Sequence, residues 1–158
     1  MLPGITVDEE VVITSTGALS LGQIPKSMVV IGAGVIGLEL GSVWRRLGAE
    51  VTCVEFLDQI LPGFDGDVRK EANKIFKKQG IEFKLGTKVT SVAVNGDKAT
   101  LTVEPAAGGE ASTIEADCVL VSIGRPDPDS DSTLAQLAAV RARAASNAAH
   151  AAAASASA

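Results

Sequence analysis

The chain is bounded first by what it has little of. Histidine occurs once and cysteine twice in 158 residues. Cys53 and Cys118 lie 65 positions apart (118 − 53), with no CxxC partner and no cluster of histidines near either. That excludes the usual Cys/His spacing of a zinc site, and no metal ligand is expected. Each sits inside an apolar run, TCVEF or DCVLVSIG, so buried free thiols are expected, with a disulfide between them as the alternative. Unpaired cysteines fit a reducing compartment. Clusters of Lys and Arg are missing as well. The net charge is −5, which argues against a nucleic-acid partner and against a basic membrane-binding face. No apolar run approaches the ~20 residues of a membrane span. The opening MLPGITVDEE is acidic and lacks an apolar h-region, so no signal peptide is expected. It reads as an internal stretch, with Met1 as an added start.

What is present suffices for one core of ordinary size. Hydrophobic residues make up 46% of the chain, but much of that is alanine near the C-terminus, so the useful apolar content lies before Arg125. Three stretches follow: a leading segment over 1–27, a domain over 28–125, and a low-complexity, Ala-rich tail over 126–158 that resembles artificial sequence. The only histidine, His150, falls in this tail and is given no role. In the leading segment VVIT (11–14) is a candidate strand, and STGALSLGQIPK (15–26) reads as a linker. MVVIG (28–32) is the β-branched run of a buried parallel strand. VIGLELGSVWRRLG (35–48) has helical periodicity, with Ile36, Leu40, Val43, Trp44 and Leu47 near one face and Gly48 as C-cap. VTCVEF (51–56) is a second buried strand. Strand, glycine turn, helix and strand thus fill roughly 30 residues, the length of one βαβ unit.

LDQILPGFDGD (57–67) reads as a loop, in which Asp65 and Asp67 are loop and N-cap residues. VRKEANKIFKKQG (68–80) predicts an amphipathic helix with Val68, Ala72, Ile75 and Phe76 on its apolar face, and IEFKLG (81–86) a short strand. KVTSVAVN (88–95), KATLTVEP (98–105) and STIEAD (112–117), joined by NGD and AAGGE turns, predict an antiparallel meander. DCVLVSIG (117–124) returns to a buried parallel strand. The fold class is therefore α/β, a Rossmann-like parallel sheet with helices and a three-stranded antiparallel meander.

The motif that carries chemistry is GAGVIG (32–37), a G-x-G-x-x-G that leaves a strand and opens a helix. Gly32 permits the sharp turn, Gly34 lets a pyrophosphate approach the backbone, and Gly37 lets the helix pack closely on the strand. The helix start offers unpaired N–H groups to the phosphates. A glycine turn used only for packing is the competing account. Glu55 ends the second strand 18 residues past Gly37 (55 − 37), where the fingerprint expects an acid on the adenosine ribose hydroxyls. Its charge repels a 2′-phosphate, and the following FLDQIL carries no Lys or Arg to receive one, so NAD is favoured over NADP. FAD, whose ADP half is held in the same manner, competes on the fingerprint alone. Glu39 has two readings, an acid favoured by the helix dipole and a contact to the nicotinamide ribose or a partner lysine.

The segments STGALSL, MVVIGAGVIGLELGSVWRRLGAEVTCVEF, FKKQGIEFKLGTKVT and VLVSIGR resemble the dihydrolipoamide dehydrogenase family of pyridine nucleotide–disulfide oxidoreductases, over residues 2–125. The resemblance implies that this fingerprint is the second of two, holding NAD while an earlier one, in the full-length parent only, holds FAD, and that the meander is the family's three-stranded β-meander crossover, packed against the parallel sheet. It implies that the cofactor-binding set is Gly32, Ala33, Gly34, Val35, Ile36, Gly37, Leu38, Glu39, Glu55, Phe56, Val89 and Gly124. Within it, Val35 and Ile36 lie between nicotinamide and flavin, Val89 on the adenine side, and Gly124 near the nicotinamide. It further implies a parent that oxidises dihydrolipoamide with NAD through FAD and a redox disulfide, forms a homodimer, joins 2-oxoacid dehydrogenase complexes, and works in the mitochondrial matrix or the bacterial cytoplasm.

The departures from the family pattern matter equally. Cys53 and Cys118 match no part of its CxxxxC redox pair, nothing supplies its His–Glu acid/base pair, and GRPDPDSDS runs into alanine where a second FAD-binding stretch belongs. No catalytic residue is expected here, and catalysis by the chain alone is not expected. Two other readings stay open: a non-catalytic fold fragment or interaction module that binds no nucleotide, and a fragment of a mercuric or glutathione reductase, the latter fitting Glu55 poorly because it generally prefers NADP.

Overall fold

A computed structural model of the chain describes residues 5–123. In chain order its elements are β1 (Val12–Ile13), α1 (Ser15–Ala18), β2 (Ser27–Ile31), α2 (Val35–Leu47), β3 (Glu50–Val54), α3 (Gly66–Lys78), β4 (Glu82–Lys84), β5 (Thr87–Asn95), β6 (Lys98–Pro105), β7 (Ser112–Ala116) and β8 (Cys118–Val121). The expected tail over 126–158 and His150 within it lie outside the described residues.

Two sheets result. The first has the order β1-β8-β2-β3-β4, and every neighbouring pair in it is parallel. The second is the antiparallel meander β5-β6-β7. The period-2 alternation of a strand explains how they stack. In β2, Met28 and Val30 enter one apolar cluster together with Leu38, Trp44, Val51, Cys53, Cys118 and Leu120. Val29 and Ile31 enter another, with Val54, Val89, Leu101, Val103 and Val119. The parallel sheet is therefore covered by helix on one face and by the meander on the other. That is why its strands read as unbroken apolar runs.

The stretch expected to lead into the domain takes part in the sheet. Val12 and Ile13 pair with Val119 and Leu120 at its edge, and Ile5, Val12, Ile13 and Ala18 are buried. Ser15–Ala18, read as linker, forms a single helical turn.

The helical face of α2 differs from expectation. Of the five residues expected inward, Leu40 and Trp44 pack on the core, whereas Ile36, Val43 and Leu47 are exposed; the residues buried are Gly37, Leu38, Gly41, Ser42 and Trp44. The reason is close packing. A Cβ on Gly37 would collide with the Gly32 carbonyl, and one on Gly41 would press on Val30 at 3.3 Å. The glycine face can approach the sheet more closely than a face of larger side chains. Gly48 ends the helix in the left-handed region at φ 116°, as expected of a C-cap glycine.

Helix α3 is also shallower than its pattern suggested. Ala72 and Phe76 rest against the core, while Val68 and Ile75 stay exposed and none of its residues is buried. Asp65 is its N-cap, accepting the Asp67 N–H at 2.9 Å, and Asp67 lies in the first turn. No helix among the described residues is long and apolar enough to cross a membrane.

Candidate dinucleotide site at the strand ends

Helix α2 connects β2 to β3 on one side, whereas β8 pairs with β2 on the other. The chain thus switches direction between β2 and β8, and the carboxyl ends of these strands border a crevice of the kind that binds ligands in open α/β sheets. Gly32 leaves β2 at φ 104°, a conformation that disfavours any side chain, and a Cβ there would also meet the Ser122 carbonyl oxygen at 2.9 Å. Gly34 caps α2 in extended conformation, and a Cβ added to it would meet nothing within 4 Å. The backbone beside the helix start therefore faces open space. Gly37 is the third contact, wedged against the Gly32 carbonyl and Ser122 Oγ.

Glu55 stands one residue beyond β3. Its Oε2 accepts the Ala33 N–H at 2.6 Å, and its Oε1 accepts the Leu57 N–H at 3.0 Å. The carboxylate is thus turned toward the glycine loop. Its backbone is fixed in turn, because Glu55 N donates to the Lys84 carbonyl at 3.0 Å and its carbonyl accepts Thr87 N–H at 2.9 Å. Between the sheet ends and β5 lies a cleft of about 120 Å³ lined by Ile31, Gly32, Val54, Glu55, Phe56, Thr87, Lys88, Val89 and Ile123.

The expected site residues thus divide. Gly32, Glu55, Phe56 and Val89 share the cleft. Ala33 and Leu38 are buried behind the turn, and Gly34 opens onto solvent. Val35 and Ile36 project from the start of α2, 51% and 40% exposed. Glu39 is exposed on α2 but beyond its first turn, which holds no acid, and this weakens the dipole account of it. Gly124 lies outside the described residues.

Sequence reasoning missed Ser122, Lys88, Thr87 and Ile123. Ser122 Oγ donates to the Ile31 carbonyl at 2.9 Å and to the Gly32 carbonyl at 3.1 Å. It ties the exit of β8 to the glycine turn. No local signal marks this serine, since its partners lie some ninety positions away and only strand pairing brings them together.

Cys53 and Cys118 are free and buried, as expected. Burial, then the nearby Glu55 charge, pushes the Cys53 thiol up to about 12. Burial, followed by Asp8, Asp117 and Glu9, pushes the Cys118 thiol up to about 12 as well. Both thiols stay protonated at neutral pH and are poor nucleophiles. The described residues around the cleft offer recognition: a helix start, an acceptor pair and an apolar wall.

The pyridine nucleotide-disulphide oxidoreductase family matches residues 1–145. A leghemoglobin reductase of Glycine max and dihydrolipoyl dehydrogenase 3 of Pseudomonas putida are each 60% identical over 124 residues, 78% of this chain and 24% and 27% of theirs. The mitochondrial dihydrolipoyl dehydrogenase of Pisum sativum is 59% identical over the same length, 25% of its own. The chain spans about a quarter of the length of these relatives. Among solved structures, LpdA of Mycobacterium tuberculosis superposes with a TM-score of 0.70 at 27% identity, covering 78% of this chain and 26% of that one. A water-forming NADH oxidase of Lactobacillus brevis, solved bound to NADH, gives 0.66 at 25% identity, covering 82% and 29%.

Proposed function

The chain belongs to the pyridine nucleotide-disulphide oxidoreductase family, and from that premise we propose that residues 28–125 are the NAD(H)-binding domain of a dihydrolipoamide dehydrogenase. Residues 1–27 precede it in sequence and lend it the edge strand β1, and the Ala-rich sequence over 126–158 is given no role. The observation that carries this reading is the hydrogen bond from Ala33 N–H to Glu55, which sets an acidic acceptor against the glycine turn at the mouth of the cleft. The residues fit a dinucleotide. Gly34 leaves room at the helix start for a diphosphate, Glu55 has lone pairs left for ribose hydroxyls, and the apolar wall of Val54, Phe56 and Val89 suits an adenine. The NADH named in the Lactobacillus brevis structure supports the same reading. When bound, NAD supplies the nicotinamide that accepts a hydride. The chain's own residues would orient it: Gly32–Gly37 at the diphosphate, Glu55 at the adenosine ribose, and Val35, Ile36 and Glu39 toward the nicotinamide end, while a part for Gly124, outside the described residues, rests on the resemblance alone.

The full-length enzyme would oxidise dihydrolipoamide with NAD through FAD and a redox disulfide, as a homodimer within 2-oxoacid dehydrogenase complexes, in the mitochondrial matrix or a bacterial cytoplasm. FAD would belong to that longer protein, held by the earlier glycine fingerprint that the resemblance implies. Calorimetric titration of the chain is the test. NADH should bind, NADPH more weakly, and lipoamide turnover should be absent. Equal affinities for the two would remove the role given to Glu55. A second reading, a fragment acting through surface contacts, is favoured by the outward apolar row of Ile36, Val43 and Leu47 on α2, and binding of neither nucleotide would select it.

A further inference from the structure

We propose that Glu104 sets the nucleotide preference of the cleft by holding Lys88, the single base on its wall, away from a 2′-phosphate. This rests on the nucleotide reading above and adds to it a residue that the fingerprint does not contain. Among the residues lining the cleft there is one acid, Glu55, and one base, Lys88. Lys88 shares the lining of the cleft with Glu55, and its ammonium, were it turned into the cleft, would receive the adenosine 2′-phosphate of NADP, so Glu55 does not by itself account for a preference against it. Lys88 is engaged elsewhere, however. It stands directly opposite Glu104 in the antiparallel ladder of β5 and β6, and its Nζ lies 2.5 Å from Glu104 Oε1. The pairing is set by regular register: Thr87, Lys88 and Val89 face Pro105, Glu104 and Val103, and the register shifts only between Val89 and Ser91. One residue earlier, Thr87 N–H is hydrogen-bonded to the Glu55 carbonyl, which pins the start of β5 beside the ribose acceptor.

Glu55, Lys88 and Glu104 together therefore carry one net negative charge. A ribose with two free hydroxyls meets an acceptor, whereas a phosphate dianion meets a negative field and a cation already paired. Neutralising Glu104 releases Lys88. The freed ammonium then either meets the 2′-phosphate or turns to Glu55 and masks it, and both outcomes shift the balance toward NADPH. The pair is partly solvated, with side chains 42% and 27% exposed, so its influence is moderate and screened by salt.

The test is titration of the 158-residue chain and its variants with NADH and NADPH at low and high ionic strength. Glu104→Gln, which keeps the shape of the side chain, should lower the ratio of the NADPH to the NADH dissociation constant by roughly three- to tenfold at low salt, and the shift should shrink at high salt. Lys88→Gln combined with Glu104→Gln should return the ratio to the wild-type value, because the released cation is gone. A melting curve for each variant separates loss of fold from change of preference. NADH binding with a ratio in Glu104→Gln unmoved from wild type overturns this inference alone. Failure of the wild-type chain to bind either nucleotide overturns the nucleotide reading, and this inference with it.

Discussion

Each oxygen of the Glu55 carboxylate already serves one backbone N–H, Ala33 for Oε2 and Leu57 for Oε1. A carboxylate offers about four acceptor positions, so two remain for a ribose diol. An amide in its place would turn its NH₂ toward one of those N–H groups and set donor against donor. Glu55→Gln is therefore expected to weaken NADH binding by about 1–2 kcal/mol and to loosen the glycine loop as well, read by titration and by a melting curve. Loss of binding no greater than for a substitution outside the cleft would show that the carboxylate grips nothing. The two cysteines give a prediction in pH. Their thiols stand at about 12 instead of the ordinary 9.0, so the folded chain keeps protons that the unfolded chain releases near pH 9. Their stabilisation is whole below pH 9 and is lost as pH rises from 9 toward 12, with a slope near 1.4 kcal/mol per pH unit for each thiol. Denaturant titrations across that window should show the decline, and Cys53→Ala with Cys118→Ala should flatten it. At the residue scale the sequence already marked Gly32, Gly34, Gly37 and Glu55, because their chemistry is carried by residue type and spacing. Ser122 was invisible, because its bonds to Ile31 and Gly32 exist only once β8 lies beside β2.

Elements were legible in kind, and less so in orientation. The 3.6-residue period located α2 correctly, but weighing large apolar side chains turned the inward face too far: Leu40 and Trp44 meet the core as expected, and Ile36, Val43 and Leu47 do not. The glycines that permit close approach are nearly silent on a hydrophobicity pattern, yet they decide which face the sheet accepts. The same weighting overstated the depth of α3. Two of its four expected anchors, Val68 and Ile75, are about half exposed, and it buries no residue, so it should open independently of the sheet. Hydrogen exchange should therefore find the amides of α3 less protected than those of α2 and β2. Asp65→Ala, which removes the only side-chain cap at its start, should cost about 1 kcal/mol of α3 protection while leaving the β2 amides near their original rates. Equal protection of α2 and α3 would mean that α3 unfolds only with the whole domain.

At the scale of the molecule, the elements of each layer could be read from periodicity: unbroken apolar runs for strands, a helical period after the glycine turn, and alternation with tight turns for the meander; that the meander packs on the parallel sheet came only from the family resemblance. What the pattern could not give was the neighbour of β2 on its second side, since β8 follows β2 by about ninety residues and only the finished sheet shows that the two pair. That pairing creates the crevice, so a ligand seated there should hold together elements distant in sequence and raise the stability of the whole described unit. The chain contains one tryptophan and no tyrosine, and Trp44 is buried on α2 among residues of the sheet core, which makes its emission a single reporter of that unit. A ligand that binds only the folded form at a hundred times its dissociation constant adds about 2.7 kcal/mol. With NADH at that excess, the thermal midpoint followed by Trp44 emission should rise by several degrees, and NADPH at the same concentration should raise it less. A midpoint unmoved by either nucleotide, in a chain that melts cooperatively, would leave the crevice without its ligand.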